Sequence, residues 1–402
     1  MAVRVIATGA APIEAPAAPD FERNRAVPAV VRIALQNFRC YAALQLDIAA
    51  APVVLSGPNG AGKTNLLEAL SFLAPGRGMR RAKLSEIDRR GGSGAWTLSV
   101  HLATTDGLIQ IGTGRDAASD SGERRIVRID GAPAKTQAEL AKLASFVWLT
   151  PQMDRLFTEG AGARRRFLDR LVLGFDPEHA NALSAYERAM RERLHLLRDG
   201  PADASWLAAL EETMAAQGVA IAAARRDVVQ RIDQACAANA GPFPQARLAM
   251  TGEVEAALGA MPALAAEDAL RQRFAEQRRI DAEAGVTTYG PHRSDLLVEH
   301  VGNGMPAPQC STGEQKALLL AILLAQARLL AAARGTAPLM LLDEVAAHLD
   351  AERRAALFAE LLDLKTQAWL TGTDAALFAA LCGRAQFFAV AEARLSPMDR
   401  FR

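Results

Sequence analysis

The sequence predicts an α/β fold, with a β-rich lobe drawn from both ends of the chain and a mainly α-helical lobe inserted between them. Three observations predict it. A glycine-rich loop, Gly57 to Thr64, follows an apolar strand and opens a helix. A second apolar strand, Leu339 to Leu342, ends in Asp343-Glu344 near the other end of the chain. Between them, from about Arg164 to Arg279, Ala, Leu, Arg and Glu dominate and β-branched residues are few.

A chain of 402 residues that is 50% hydrophobic can bury a large core, in two lobes rather than one. At 23% charged residues it sits at the globular average, which argues against wholesale disorder. A net charge of +1 excludes a uniformly basic domain, so any nucleic-acid surface has to be a local patch. Cys40, Cys236, Cys310 and Cys382 are far apart and form no CxxC pair. That spacing fits neither a zinc site nor a disulfide framework, and reduced thiols are expected. The N-terminus lacks the apolar run of a signal peptide, and no stretch reaches ~18 uninterrupted apolar residues. A soluble, cytoplasmic chain is the expectation.

In chain order, residues 1–28 are rich in Ala and Pro and read as a loose tail, unable to bury enough apolar surface to offset chain entropy. The first lobe then takes residues 29–150 and 335–402. Strands are predicted from Ala29 to Leu35, Leu44 to Ile48 and Val53 to Leu55, the last running into the loop and a helix opening at about Lys63. Trp96 to Leu102 alternates with period 2, as a half-buried strand does. Ile126 to Ile129 is closed by Asp130-Gly131, a hairpin-turn dipeptide. The helical lobe spans 151–334, with apolar spacing such as Leu194-Leu197 and Leu207-Leu210 but no sustained heptad. A helix from about Glu314 to Ala333 leads to the strand at Leu339. Another follows from Ala351, then strands at Ala368 to Leu370 and Phe387 to Val390. The first and last thirds thus read as two halves of one sheet domain.

Gly57-Pro58-Asn59-Gly60-Ala61-Gly62-Lys63-Thr64 matches GxxxxGK[ST] in full, between strand and helix as the mechanism requires. Its glycines let successive N–H groups face phosphate oxygens, and the helix N-terminus adds partial positive charge at the same place. Lys63 would reach the β- and γ-phosphates and the Thr64 hydroxyl would hold Mg²⁺. Asp343, at the end of its strand, is placed to hold Mg²⁺, and Glu344 could polarise an attacking water. The same pair could also merely favour a helix dipole. A whole lobe of sequence separates Lys63 from Asp343, far more than the ~30 residues of one βαβ step. Ser311-Thr312-Gly313-Glu314-Gln315-Lys316 precedes the long helix feeding the acidic strand. It reads both as a second anion-binding helix start and as a capping box, Ser311 with Glu314 three residues later.

Phosphate loop, Ser-x-Gly-x-Gln-Lys, apolar strand with Asp-Glu, and then His348-Leu349-Asp350 resemble the ABC-type ATPase head shared by SMC proteins, recombination ATPases and transporters. The resemblance implies ATP and Mg²⁺ as cofactors. It puts Gly57 to Thr64 and Asn65 around the nucleotide, with Thr64, Asp343 and Gln152 at the metal and Glu344, Asp343 and Lys63 in hydrolysis. It also implies that Ser311 and Gly313 contact the γ-phosphate held by a second copy, with Asp350 in the loop crossing the dimer interface. Where transporters often carry a switch His, this chain has Leu370-Thr371-Gly372-Thr373-Asp374, and Thr373 is the nearest candidate.

Three further segments resemble the RecF family: Asn37-Phe38-Arg39-x-Tyr41, Arg165-Arg166-Phe167-Leu168-Asp169 and Thr288-Tyr289-Gly290-Pro291-His292-Arg293-Ser294-Asp295. This resemblance spans Ala29 to the C-terminus and implies that Arg39 lies near the nucleotide. It implies a DNA repair and replication protein that binds single- and double-stranded DNA without reading sequence, dimerises on ATP and hydrolyses it slowly. Work with RecR and RecO in recombinase loading and the SOS response is implied as well. Arg77, Arg80, Arg81, Lys83, Arg89 and Arg90, against only Glu86 and Asp88, could neutralise backbone phosphates; they also read as a solvated basic loop. The rival reading is an SMC head or a transporter ATPase, for which the inserted lobe is respectively too short and too long.

Overall fold

In the computed structural model, residues 28–92, 94–118, 124–198, 203–238 and 241–398 are described. The tail expected over residues 1–28 lies, apart from Pro28, outside them. The chain divides into two units, one of residues 1–151 with 330–402 and one of residues 152–329.

In the first unit the chain begins with β1 (Ala29–Phe38), β2 (Tyr41–Asp47), β3 (Val53–Ser56) and α1 (Lys63–Ser71). It continues through β4 (Thr97–Thr104), β5 (Gly107–Arg115), β6 (Arg125–Ile129), β7 (Ala132–Pro133), α2 (Ala138–Leu143) and β8 (Phe146–Leu149). The second unit holds α3 (Ala161–Phe175), α4 (His179–Arg198), α5 (Ala204–Ala237), β9 (Ala246–Thr251), α6 (Glu253–Ala260), α7 (Ala263–Glu276) and α8 (Arg278–Ala284). It goes on with β10 (Asp295–His300), β11 (Met305–Pro306) and α9 (Thr312–Arg334), within which the division at Leu330 falls. The first unit resumes with β12 (Leu339–Leu342), α10 (Ala351–Asp363), β13 (Ala368–Gly372), β14 (Gln386–Ala391) and β15 (Arg394–Pro397).

The sheet domain expected from the two ends of the chain holds two sheets. An antiparallel sheet runs in the order β2-β1-β4-β5-β6-β7, and a second runs β15-β14-β3-β13-β12-β8. In the second, β14, β3, β13, β12 and β8 are all parallel, and β15 alone is antiparallel. The antiparallel strands alternate buried and half-buried residues, as β4 does, whereas β3, β8 and β12 are buried at every position. That contrast separates a one-face sheet from a sheet covered on both faces. Asp130 and Gly131 take φ of 49° and 81°, the two left-handed residues that a tight hairpin between β6 and β7 requires. Arg125, half-buried, donates to the Ala74 and Gly76 carbonyls at 3.3 and 2.9 Å and also to that of Phe72, closing the C-terminus of α1. Burial lowers its pKa to about 9.

The helical run expected from Arg164 to Arg279 is interrupted by β9, which joins β10 and β11 in a three-stranded antiparallel sheet. Its sequence, Ala-Arg-Leu-Ala-Met-Thr, is too rich in alanine to advertise a strand; pairing with β10 decides it. The core of this unit gathers Tyr186, Met214, Ala222, Leu270 and Phe274. A Cβ at Gly218 of α5 would lie 3.1 Å from Leu270 of α7, so this glycine lets the two helices approach. The 18-residue window of α9 with mean hydropathy 1.8 is long and apolar enough to cross a bilayer, yet 72% of it is buried inside the protein.

Candidate functional site

The parallel sheet explains why distant motifs meet. Strand order β3-β13-β12 puts the C-terminal ends of all three strands side by side, the place where open α/β sheets bind ligands. From β3 issues the phosphate loop, from β12 Asp343-Glu344, and β13 ends between them in Thr371-Gly372.

Loop geometry follows from its glycines. Gly60 and Gly62 take φ of 80° and 117°, where a side chain would be strained. A Cβ on Gly57 would lie 2.1 Å from the Val390 carbonyl oxygen. Pro58, Asn59 and Gly60 are exposed, and the Ala61 carbonyl accepts from the Ala393 N–H at 3.1 Å. Lys63 is buried; its ammonium donates to the Gly57 and Pro58 carbonyls at 2.7 and 3.1 Å. The same Nζ lies 3.4 Å from Glu344 Oε1.

Thr64 Oγ1 donates to Asp343 Oδ1 at 3.0 Å, and Thr371 Oγ1 donates to the same oxygen at 2.7 Å. Thr371 in turn accepts from the Glu344 N–H at 2.8 Å. Burial pushes the Asp343 carboxyl above its ordinary range; the Thr371 and Thr64 hydroxyls oppose that and the Glu344 charge adds to it. Glu344 takes φ 51° and ψ 34°, a left-handed conformation rare outside glycine. Lys63, Thr64, Asp343 and Glu344 thus form one cluster of a cation, a hydroxyl and two carboxylates.

A second polar knot lies along α1. Glu68, 1% exposed, receives Arg39 at 2.9 and 2.6 Å and Arg80 at 3.3 Å. Arg39 also donates to the Glu86 carbonyl at 2.8 Å. Asn65 takes Arg80 on its Oδ1 at 3.1 Å and donates to Cys40 Sγ at 3.2 Å. Arg39, expected from the sequence beside the nucleotide, is here tied to α1. Of the basic stretch, Arg77, Arg80, Arg81, Lys83 and Arg90 are exposed and Arg89 is half-buried.

Asp350 caps α10, its Oδ1 accepting from the Arg353 N–H at 2.8 Å. Gln152, Ser311 and Gly313 belong to the second unit. Gln152 is exposed in a 3-10 turn, Pro151–Arg155. Ser311 and Glu314 form the capping box in full: the Ser311 N–H and hydroxyl reach Glu314 Oε2 at 2.8 and 2.7 Å, and the Glu314 N–H reaches Ser311 Oγ at 3.3 Å. A Cβ at Gly313 would meet nothing within 4 Å.

Two residues at these contacts are not evident from the motifs. The sequence points to Thr373, which is exposed, rather than to Thr371; a hydroxyl at the end of the buried run Ala-Trp-Leu-Thr needs a partner, and that is the signal. Glu68 sits among Leu66, Leu67, Ala69 and Leu70, and a carboxylate in so apolar a run likewise demands a cation.

Fold and loop together define an ABC-type P-loop ATPase head. The family model for the RecF/RecN/SMC N-terminal domain matches residues 29–379. A curated DNA replication and repair protein RecF from Mesorhizobium japonicum is 51% identical over 374 residues, covering 92% of this chain and 98% of its own. Its counterparts from Rhizobium etli and Brucella suis are 48% and 47% identical, over 97% and 98% of their lengths. The chain belongs to the RecF family of DNA replication and repair proteins. Its fold matches that of the recombination mediator protein RecF-ATPrS in the RecFOR pathway, with TM-score 0.80 at 20% identity over 93% of this chain and all of the other. An Smc head domain from Pyrococcus furiosus is more distant, with TM-score 0.51 at 14% identity over 92% of this chain and 96% of its own.

Proposed function

We propose that this protein binds ATP with Mg²⁺ at the Lys63 loop, dimerises on it, and in that state holds DNA at gaps and junctions until slow hydrolysis releases it. The observation that carries the reading is the meeting of Lys63, Thr64, Asp343 and Glu344 at adjacent strand ends. The glycines at 60 and 62 hold a loop conformation suited to anion-facing amides, and α1 begins at the loop's last residues. Thr64 and Asp343 are oxygen donors within one hydrogen bond of each other, the kind of pair that suits a hard cation otherwise held by phosphate and water. Mg²⁺ would supply charge neutralisation at the transferred phosphoryl group. Glu344 would orient the water, with Gln152 beside the metal. Arg39 would turn from Glu68 towards the nucleotide, and Asn65 would complete its surroundings.

Ser311 and Gly313 of a second copy would close the site, with Asp350 at the same interface. The exposed arginines from Arg77 to Arg90 would neutralise DNA phosphates on single or double strands without reading sequence. A solved relative is described as RecF-ATP in a RecFOR pathway, which supports RecR and RecO as partners; recombinase loading and the SOS response would be the setting. A cytoplasmic, nucleoid-associated protein fits that work.

Sedimentation with and without Mg²⁺-ATP and a gapped DNA tests the reading. Wild type should shift to a dimer with ATP and bind the DNA; Lys63→Met should do neither. An ATP affinity unchanged by Lys63→Met would overturn the proposal.

A further inference from the structure

Strand order leaves one side chain in an unusual position. Because β13 lies between β3 and β12, its last residues stand between the phosphate loop and the acidic turn. Thr371 is fully buried there, at 0% exposure. Its hydroxyl has a single hydrogen, given to Asp343 Oδ1 at 2.7 Å, so the Glu344 N–H at 2.8 Å must be met by a lone pair. One oxygen therefore fixes the side chain of the first acidic residue and the backbone of the next.

That backbone needs fixing. The left-handed conformation of Glu344 is unfavourable for an L-residue, and a competing extended path would carry its carboxylate elsewhere. The acidic turn is tied on one flank by the Asp343 N–H to the Leu149 carbonyl at 2.9 Å, at the end of β8. Thr371 ties it on the other. Its bond to Asp343 is made by a hydroxyl other than that of Thr64, on the same carboxylate oxygen.

We propose that Thr371 is a positioning residue for hydrolysis: through one hydroxyl it orients Asp343 towards the metal and Glu344 towards the water. The inference rests on the nucleotide reading of the site. Supporting partners of this kind fix a ligand's orientation, and their loss typically lowers metal affinity or activity about 10- to 100-fold.

The test compares Thr371→Val, which keeps the shape and loses the hydroxyl, with Thr371→Ser, which keeps the hydroxyl. Full-length variants are measured for ATP affinity, for kcat and KM of hydrolysis, and for Mn²⁺ affinity of the nucleotide complex by electron paramagnetic resonance. Thr371→Val should lower kcat and Mn²⁺ affinity each by about 10- to 100-fold while ATP affinity, set mainly by Lys63, moves less than about 3-fold. Thr371→Ser should restore both to within about 3-fold. If Thr371→Val loses its cooperative melt, Thr371→Ala, which leaves space rather than a methyl, is read in the same way. Wild-type kcat and Mn²⁺ affinity in the hydroxyl-free variant, or a serine variant as impaired as the valine one, would overturn the inference alone. A wild-type protein that binds no ATP would instead overturn the nucleotide reading and this inference with it.

Discussion

The phosphate loop and the Gly290–Asp295 segment both read in the sequence as glycine-led motifs bearing charged residues, yet those residues find different partners. Lys63 is held by two carbonyls of its own loop and by Glu344 at 3.4 Å, contacts that a phosphate could replace. In the second unit the acidic residues of the motif segments are paired with cations. Asp295 takes Arg164 at 2.8 and 2.7 Å, and Asp169 takes Arg225 at 2.8 and 2.9 Å and His179 at 2.9 Å. Tyr186 meets His292 at 2.8 Å, and Arg225 reaches the Pro291 carbonyl at 2.7 Å. Asp169 and Asp295 thus tie together elements of their own unit.

The strongest way to break this contrast is at Arg193, wholly buried between Glu211 at 2.9 Å and Asp281 at 2.7 Å, with a third bond to the Phe274 carbonyl. Arg193→Met leaves two buried carboxylates short of a partner, although Arg278 still serves Glu211 and Thr288 still serves Asp281. Removing one member of such a network costs about 3–5 kcal/mol. Urea unfolding should show that loss, while Lys63→Met should cost less, because its partner Glu344 is partly exposed and remains solvated. Equal stability losses in the two variants would erase the distinction between the regions.

Gly290 sharpens the same point with a smaller effect. Its φ is +126°, and a Cβ there would lie 2.4 Å from the Tyr186 hydroxyl. Gly290→Ala should cost about 1–3 kcal/mol through strain and overpacking. Part of that should return in the double variant with Tyr186→Phe, because the clashing oxygen is gone. Strictly additive losses would show that the close approach to Tyr186 is irrelevant.

Legibility in the sequence follows the range of the interaction. The loop, the hairpin at Asp130-Gly131 and the strands ending in Leu55, Leu342 and Leu370 are readable because local pattern and turn chemistry agree there. β9 is not, since alanine at positions 246 and 249 carries no strand preference and only pairing with β10 makes one. The division of that domain into two sheets is not legible because strand partners are chosen across the fold; β3 and β1 are close in sequence yet belong to different sheets. The acidic pair and the lysine loop are visible as motifs, but Thr371 between them is not, because its importance comes from strand order rather than from its neighbours in the chain.

The smallest expected effect bears on Gly313, a glycine for which the fold gives no steric reason. Gly313 lies in the first turn of α9, with no left-handed φ and nothing within 4 Å of where an alanine methyl would sit. Glycine in a helix costs roughly 0.5–1 kcal/mol relative to alanine, and the Ser311–Glu314 box caps the helix without its help. Gly313→Ala should therefore leave the monomer equally stable or more stable by up to about 1 kcal/mol. If the glycine exists to let a second copy's nucleotide approach the helix start, the same variant should bind ATP normally as a monomer and associate more weakly. Sedimentation with Mg²⁺-ATP at several protein concentrations reads that difference. A stabilised variant that dimerises as wild type would show that the bare helix start is not an approach surface, and the cross-copy role of Ser311 and Gly313 would lose its physical basis.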